Sequence, residues 1–352
     1  MTDPLTPAFF DGHNDMLLKL WRAEAAGGAP ERMFEFGCSG HLDLPRLRAG
    51  GFGGGLFAIF APSAEADMAM DGPEGYDVAL PPPLDPAEAR AAVLGQAGIL
   101  LRLDAQGLLR LCRTAAEIEA AMAGGEVAAV MHLEGAEAID PAFRVLDVLH
   151  AAGLRSLGPV WSRPNAFGHG VPFRFPSGPD TGPGLTGLGR ELVRQCAARK
   201  ILLDVSHLNA AGFDDLAAEW DGPFVASHSN AHALCPQSRN LIARQLDMIR
   251  ERDGLVGVNL ATAFLRPDGR MADLDDIGPV VDQFLHLIEA LGEDRVGLGS
   301  DWDGALTPAP LQDPARLPAL RMALAAAGVD APLLDKLARG NWIRVLRAVW
   351  GA

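Results

Sequence analysis

Short apolar runs alternate along the chain with longer segments whose apolar residues recur at helical spacing. Several runs are continuously apolar, as strands buried on both faces tend to be. The predicted strands are residues 8–11, 55–60, 127–133, 156–160, 201–205, 224–226, 255–260 and 296–298. The predicted helices are residues 86–109, 115–123, 141–152, 187–199, 210–219, 241–252 and 277–291. Eight strands alternating with helices predict a (β/α)8 TIM barrel, with a doubly wound open sheet as the competing fold.

We expect residues 1–352 to form a single barrel domain with two additions. Residues 61–85 are a long connection that contains three consecutive prolines and the sole tyrosine, Tyr76. Such a loop is either disordered or a cover for a site, and its place after the second strand favours an active-site cover. Residues 332–350 are helical and apolar on one face, and we expect them to pack on the outside of the barrel.

Composition and charge exclude several classes of protein. The formal net charge of −15 disfavours nucleic acid and anionic membranes as partners. The four cysteines lie far apart with no C-x-x-C pair, which argues against a disulfide framework and against a thiolate zinc site. The sequence shows neither a signal peptide nor a transmembrane segment, and we predict a cytoplasmic protein.

Polar clusters follow five of the predicted strands. They are D-G-H-N-D at 11–15, H-L-E-G at 132–135, D-V-S-H at 204–207, S-H-S-N at 227–230 and G-L-G-S-D-W-D-G at 297–304. The carboxyl ends of parallel barrel strands open on one face, so residues from both ends of the sequence converge there. The glycine run at 50–55 precedes a strand, and this position excludes a dinucleotide-binding loop.

The residue types in these clusters predict a site for two divalent cations. His13 and Asp15 alternate on one strand and can hold one ion, whereas His207 and His228 can hold a second. Glu134 offers one carboxylate oxygen to each ion. Imidazoles and carboxylates without thiolate suit zinc, with manganese or cobalt as substitutes. Each ligand alone has a structural explanation, but their joint occurrence at strand ends favours two Zn²⁺ that hold a bridging hydroxide and polarise a carbonyl.

Two further residues are candidates for chemistry at this site. Asp301 can accept a proton from the attacking hydroxide and deliver it to a leaving amine. Arg239 can bind a substrate carboxylate with two parallel hydrogen bonds. The alternatives are a turn role for Asp301 and a surface salt bridge for Arg239.

Collinear motifs over almost the whole chain resemble the renal or membrane dipeptidase family of the amidohydrolase superfamily. Besides the clusters above, they include H-L-D-L-P-R-L-R-A-G-G at 41–51, G-L-R-S-L at 153–157, G-L-T-G-L-G-R-E-L-V at 184–193, S-R-N at 238–240 and G-N-W-I-R-V at 340–345. The resemblance implies a binuclear zinc barrel, often a homodimer, that hydrolyses dipeptides and tolerates a D-residue at the C-terminal position. It assigns the metals to His13, Asp15, Glu134, His207 and His228, the substrate carboxylate to Arg239 and proton transfer to Asp301.

The sequence departs from the family at one position that contacts substrate. The family usually carries a histidine where this chain has Trp161, whose indole can donate a hydrogen bond but cannot act as an imidazole does. His169 is a candidate substitute. We predict a zinc-dependent dipeptidase in which Trp161 and Tyr76 also contact the substrate. The alternatives are hydrolysis of another amide, a lactam or an N-acyl amino acid, and a non-catalytic binding barrel.

Overall fold

The computed structural model describes residues 8–37, 40–63, 69–72 and 74–351. Its strands are β1 Phe9–Asn14, β2 Phe52–Phe60, β3 Tyr76–Val78, β4 Arg110–Leu111, β5 Ala128–Glu134, β6 Leu154–Gly158, β7 Phe173–Phe175, β8 Leu202–Leu203, β9 Val225–Ala226, β10 Leu255–Val258 and β11 Val296–Leu298. Its helices are α1 Met16–Ala25, α2 Pro30–Phe36, α3 Leu44–Gly50, α4 Pro86–Ala105, α5 Ala115–Gly124, α6 Arg144–Ala152, α7 Gly187–Ala198, α8 Ala210–Glu219, α9 Ala243–Glu251, α10 Thr262–Leu265, α11 Gly278–Leu291, α12 Leu317–Ala326, α13 Ala331–Asp335 and α14 Asn341–Trp350.

Eight parallel strands form the centre of the fold in the order β8-β6-β5-β2-β1-β11-β10-β9. A parallel bridge between Asp204 and Val225 joins the two ends of this order, so that the barrel is nearly closed. The predicted (β/α)8 TIM barrel is therefore confirmed. All eight predicted strands are present, because burial on both faces, as along all nine residues of β2, leaves a strong apolar signal in the sequence.

Some helix boundaries differ from the expected ones for local reasons. Helix α6 begins at Arg144 and not at residue 141, because Phe143 has a left-handed backbone with φ of 59°. Helix α9 begins at Ala243, because Leu241 pairs with Ala231 in a parallel bridge. The Asp85 side chain caps the first turn of α4 by accepting hydrogen bonds from the N–H groups of residues 87 and 88.

The C-terminal segment is helical, as expected, but it does not pack on the outer wall. Helices α13 and α14, with a π-helical turn at Lys336–Gly340 between them, bring Trp342 against the ring of Phe10 and the backbone of Leu298. The Trp342 indole N–H donates to the Leu298 carbonyl at 3.0 Å. A Cβ at Gly297 would lie 2.6 Å from the same indole nitrogen, so a residue without a side chain is required there. The helix therefore closes the amino-terminal end of the barrel.

The connection at 61–85 contains strand β3, which pairs in antiparallel fashion with β7. Residues 64–68 and 73 of the expected cover lie outside the described residues. Of the described part, Pro62, Ser63, Met70 and Pro81 line the large cavity at the carboxyl end of the barrel.

Candidate active site

The predicted ligands meet at the carboxyl end of the barrel strands. His13 lies in β1, Asp15 follows it, and Glu134 is the last residue of β5. Three more, His207, His228 and Asp301, come shortly after β8, β9 and β11. All six side chains are buried, with at most 9% of their surface exposed. Parallel topology thus brings together residues separated by almost 300 positions in the sequence.

Glu134 lies between two groups of side chains. Its Oε2 is 3.8 Å from His13 Nε2, which in turn is 3.4 Å from Asp15 Oδ2. Its Oε1 is 3.1 Å from His207 Nε2 and 3.5 Å from His228 Nε2. The ligand atoms of each group converge within 4.8 Å, and a third group joins His13, His228 and Asp301. Glu134 can therefore offer one oxygen to each of two cations.

The arrangement of the histidine ring nitrogens is explained better by metal binding than by hydrogen bonds between the histidines. Among the described residues, neither of the two buried nitrogens of His13 has a hydrogen-bond partner. The Nε2 atoms of His207 and His228 lie 3.0 Å apart, while their Nδ1 atoms each lie 2.8 Å from a serine hydroxyl, Ser162 and Ser227. Unpaired buried nitrogens are costly unless a cation binds their lone pairs.

The electrostatic environment of the cluster also favours the binding of cations. Burial raises the pKa of Glu134 to about 8, and the carboxylates of Asp15 and Asp301 add to this shift. Burial alone would lower the pKa of His13, but Glu134, Asp15 and Asp301 outweigh it and raise that pKa to about 10. Burial lowers the pKa of His207 and His228 well below its ordinary value, so both rings are neutral. The neutral rings of His207 and His228 are suitable ligands for a divalent ion, whereas His13 must release a proton when it binds one.

Three residues in or next to the cluster have an unusual backbone conformation. His207, Asp301 and Asp303 all have positive φ values, of 70°, 61° and 69°. This region is costly for residues other than glycine and clusters at functional sites. Gly304 has no room for a side chain, since its Cβ would lie 2.1 Å from Asp15 Oδ2 and 2.5 Å from Asp301 Oδ1.

A cavity of about 370 Å³ opens onto the cluster. Its polar lining includes Asp15, Glu134, His207, His228 and Asp301. Its apolar wall includes Phe60, Met70, Trp161, Phe173, Phe264 and Met271. The Trp161 ring lies 5.9 Å from the His207 ring and packs between Phe60 and Phe173, each 5.5 Å away. The cavity suits a small ligand with one polar end.

The other residues predicted to contact the substrate do not line the cavity. Arg239 is 3% exposed and does not line the cavity, although its neighbours His228 and Phe264 do. Its guanidinium donates to Ser229 Oγ at 2.8 Å and to the His228 carbonyl at 3.0 Å. It is thus not the surface salt bridge of the alternative reading.

The structure does not bring Tyr76 to the cavity. Its hydroxyl donates to the Gly269 carbonyl at 2.7 Å, and its ring stacks on Phe175. The candidate substitute for the family histidine, His169, has Nδ1 3.2 Å from the Gly184 carbonyl and is also absent from the cavity wall.

Sequence reasoning missed Asn259, which follows β10. Its Nδ2 donates to Asp301 Oδ2 at 3.0 Å, and the Asp301 N–H donates to the His13 carbonyl. These two hydrogen bonds hold one carboxylate oxygen and the backbone of Asp301 in place. The rule that located the other candidates, a polar residue directly after a barrel strand, also applies to Asn259.

A nearly closed parallel barrel with a buried histidine–carboxylate cluster at its carboxyl end is the arrangement expected of a metal-dependent hydrolase. The family model for the membrane dipeptidases, peptidase family M19, matches residues 6–351. The chain therefore belongs to this family of metallo-dipeptidases. It is a dipeptidase, and the family resemblance seen in the sequence is confirmed.

Known structures and relatives agree with this assignment. A metallopeptidase from Rhodobacter sphaeroides, solved with a phosphinate mimic of the dipeptide L-Ala-D-Ala, is 51% identical with a TM-score of 0.94, covering 98% of this chain and all of its own. A metallopeptidase of family M19 named dipeptidase AC is 52% identical with a TM-score of 0.95, covering 99% and 100%. A Klebsiella pneumoniae protein from the pqqA 5′ region is 47% identical over 268 residues, 76% of this chain and 97% of the relative.

The family name refers to a membrane. In the part of the chain that the structure describes, no helix combines the length and the apolar character needed to cross a bilayer.

Proposed function

We propose that this dipeptidase uses two zinc ions bridged by Glu134, and that its substrates include dipeptides whose C-terminal residue is a D-amino acid. The observation that carries the metal proposal is the division of the ligands into two groups that share Glu134. His13 and Asp15 would hold one ion, and His207 and His228 the other. The ions would supply a polarised substrate carbonyl and a water molecule of lowered pKa.

The proposal assigns to Asp301 the proton transfer during hydrolysis, and the hydrogen bonds of its carboxylate support this role. Asn259 holds Oδ2, and Oδ1 has no hydrogen-bond partner among the described residues. Oδ1 accepts the proton of the attacking water as the bond from water oxygen to carbonyl carbon forms. The same oxygen returns the proton to the amine nitrogen when the peptide C–N bond breaks.

Arg239 is proposed to bind the free carboxylate of the substrate. Among the described residues, the guanidinium hydrogen-bonds to Ser229 and to the His228 carbonyl but forms no salt bridge, and its Nε is buried without an acceptor. Asp301, Asp204 and Glu134 act on the guanidinium only from beyond ion-pair distance, and a substrate carboxylate entering beside His228 would pair with it directly. Trp161, on the cavity wall, would contact the substrate through its ring and its indole N–H.

The ligand of the Rhodobacter sphaeroides relative supports the stereochemical part of the proposal. That ligand mimics a dipeptide with a D-alanine at its C-terminal position, and the relative shares 51% of its residues with this chain. The apolar cavity wall here is suited to short side chains on either residue.

The test is a substrate panel together with metal analysis. We expect L-Ala-D-Ala and L-Ala-L-Ala to be hydrolysed, N-acetyl-L-Ala-D-Ala to resist, and the purified protein to contain two zinc ions per chain. Arg239→Met should raise KM for L-Ala-D-Ala but leave KM for its C-terminal amide nearly unchanged, because the amide has no carboxylate to bind. Hydrolysis of the acetylated compound alone would overturn the dipeptide proposal, and equal effects on acid and amide would overturn the role of Arg239.

A further inference from the structure

Two buried aspartates beneath the cluster hold serines on neighbouring strands in the same way. Asp11 accepts hydrogen bonds from the N–H and the Oγ of Ser300, at 2.7 and 2.8 Å. Asp204 accepts from the N–H and the Oγ of Ser227, at 2.9 and 2.5 Å. All four side chains are fully or almost fully buried. We name these pairs the Asp11–Ser300 clamp and the Asp204–Ser227 clamp; their serines directly precede Asp301 and His228.

The clamps differ in the second contact that each serine hydroxyl makes. Ser300 Oγ also lies 3.0 Å from the His13 carbonyl oxygen, a group of the backbone. Ser227 Oγ instead lies 2.8 Å from Nδ1 of His228. A serine hydroxyl has one proton, and a carboxylate only accepts hydrogen bonds. Since Ser227 donates its proton to Asp204, Nδ1 of His228 must carry a proton and donate to Ser227.

These hydrogen bonds also determine whether the other ring nitrogen of His228, Nε2, carries a proton. In a neutral imidazole one nitrogen carries the proton and the other has a lone pair. Nε2 of His228, which faces Glu134 Oε1 and His207 Nε2, is therefore the nitrogen with the lone pair. The equivalent partner of His207 is Ser162, which has no carboxylate behind it among its described hydrogen bonds.

We propose that Asp204 and Ser227 are positioning residues that set the tautomer of His228 and so determine the affinity of the ion bound by His207 and His228. This inference rests on the proposed two-metal site. Metal ions bind only the deprotonated ring nitrogen, and partners behind a ligating histidine fix which nitrogen that is.

The decisive variant is Asp204→Asn, which keeps the shape of the side chain and reverses the donors. Asp204 Oδ1 accepts the N–H groups of Ser206 and Ser227, so the amide oxygen of asparagine must stay there. The amide nitrogen then faces Ser227 Oγ and donates to it. Ser227 turns its proton to Nδ1 of His228, and the imidazole proton moves to Nε2, where it opposes metal binding.

Asp11→Asn is the matched control, because it makes the same replacement in the other clamp. Its amide nitrogen would donate to Ser300 Oγ, which still donates to the His13 carbonyl, and no imidazole is involved. Ser227→Ala and Ser300→Ala form a second matched pair that leaves both aspartates in place. Thermal unfolding and circular dichroism of the metal-free proteins check that all four variants fold.

The measurement is titration of the metal-free protein with zinc in competition with a chromophoric chelator. For Asp204→Asn and Ser227→Ala we expect one of the two zinc affinities to fall about 10- to 100-fold, the range usual for partners of metal-binding histidines. Asp11→Asn and Ser300→Ala should keep both affinities near those of the unmodified protein. Equal losses in both clamps, or a loss in neither, would overturn the inference. An unmodified protein that binds fewer than two zinc ions would overturn the proposed metal site as well.

Discussion

The two ends of the barrel differ in the side chains that the eight strands present there: polar at the carboxyl end and apolar at the amino end. At the carboxyl end, histidines and carboxylates crowd around Glu134, and three non-glycine residues have left-handed backbones. At the amino end, Phe10, Leu56 and Val130 pack with Trp342 in an apolar cluster. The unpaired nitrogens and the strained backbone at the carboxyl end lower the stability of the fold. The burial of apolar side chains at the amino end raises it. Changes at the two ends should therefore separate chemistry from stability.

The largest effect is expected for Glu134→Gln, because both groups of ligands lose the carboxylate that they share. We expect the variant to lose bound zinc and to show no hydrolysis of L-Ala-D-Ala above background, as measured by metal analysis and product release. Glu137→Gln is the control, since Glu137 is similarly buried but pairs with Arg163 at 3.0 Å and not with the cluster. A Glu134→Gln protein with two zinc ions and normal turnover would contradict the bridging role.

Asp301→Asn should retain its metals and lose turnover. Removing a residue that transfers a proton typically costs about 10²- to 10⁴-fold in rate. The measurement is kcat beside zinc content. Asp303→Asn is a matched control, because the Asp303 carboxylate accepts the N–H groups of His41 and Leu42 and is already used. An equal loss of kcat in both variants would mean that Asp301 has no special role in proton transfer.

Trp342→Ala tests the amino end of the barrel. Replacing a fully buried tryptophan by alanine should lower the free energy of unfolding by about 3–5 kcal/mol, measured by urea denaturation. The kcat of the folded fraction should change little, because Trp342 contacts no ligand of the cluster. A variant of normal stability that had lost its zinc would show instead that the two ends are coupled.

The smallest effect concerns Cys112, Cys196 and Cys235, which are all buried. Burial raises the pKa of Cys112, Cys196 and Cys235 to about 12 each. At pH 8 only about one thiol in 10⁴ would be ionised, and the thiolate is the reactive form. In a Cys38→Ser background we expect no reaction of the native protein with a thiol reagent and three reacting thiols after unfolding. Rapid reaction of the native protein would contradict the closed packing around Cys112.

The sequence allowed prediction of the eight barrel strands, since an apolar run buried on both faces contrasts with its polar ends. The same contrast identified the six clustered side chains as candidates. The sequence pattern could not show where Tyr76 and Arg239 lie. Their hydrogen-bond partners, Gly269 and Ser229, come close to them only in the folded chain. Nor could the sequence pattern place α14, whose position depends on the space that Gly12 and Gly297 leave for one indole ring.

The amino-acid sequence by itself determined the barrel, the rim on which the chemistry lies and the kinds of ligand found there. These features depend on local patterns, namely strand burial and the polar residue that follows each strand. Only the tertiary structure decided how the ligands group around Glu134 and which side chains hydrogen-bond to Asp301 and His228. Those properties depend on distances of about 3 Å between residues far apart in the chain, where hydrogen bonds form or fail.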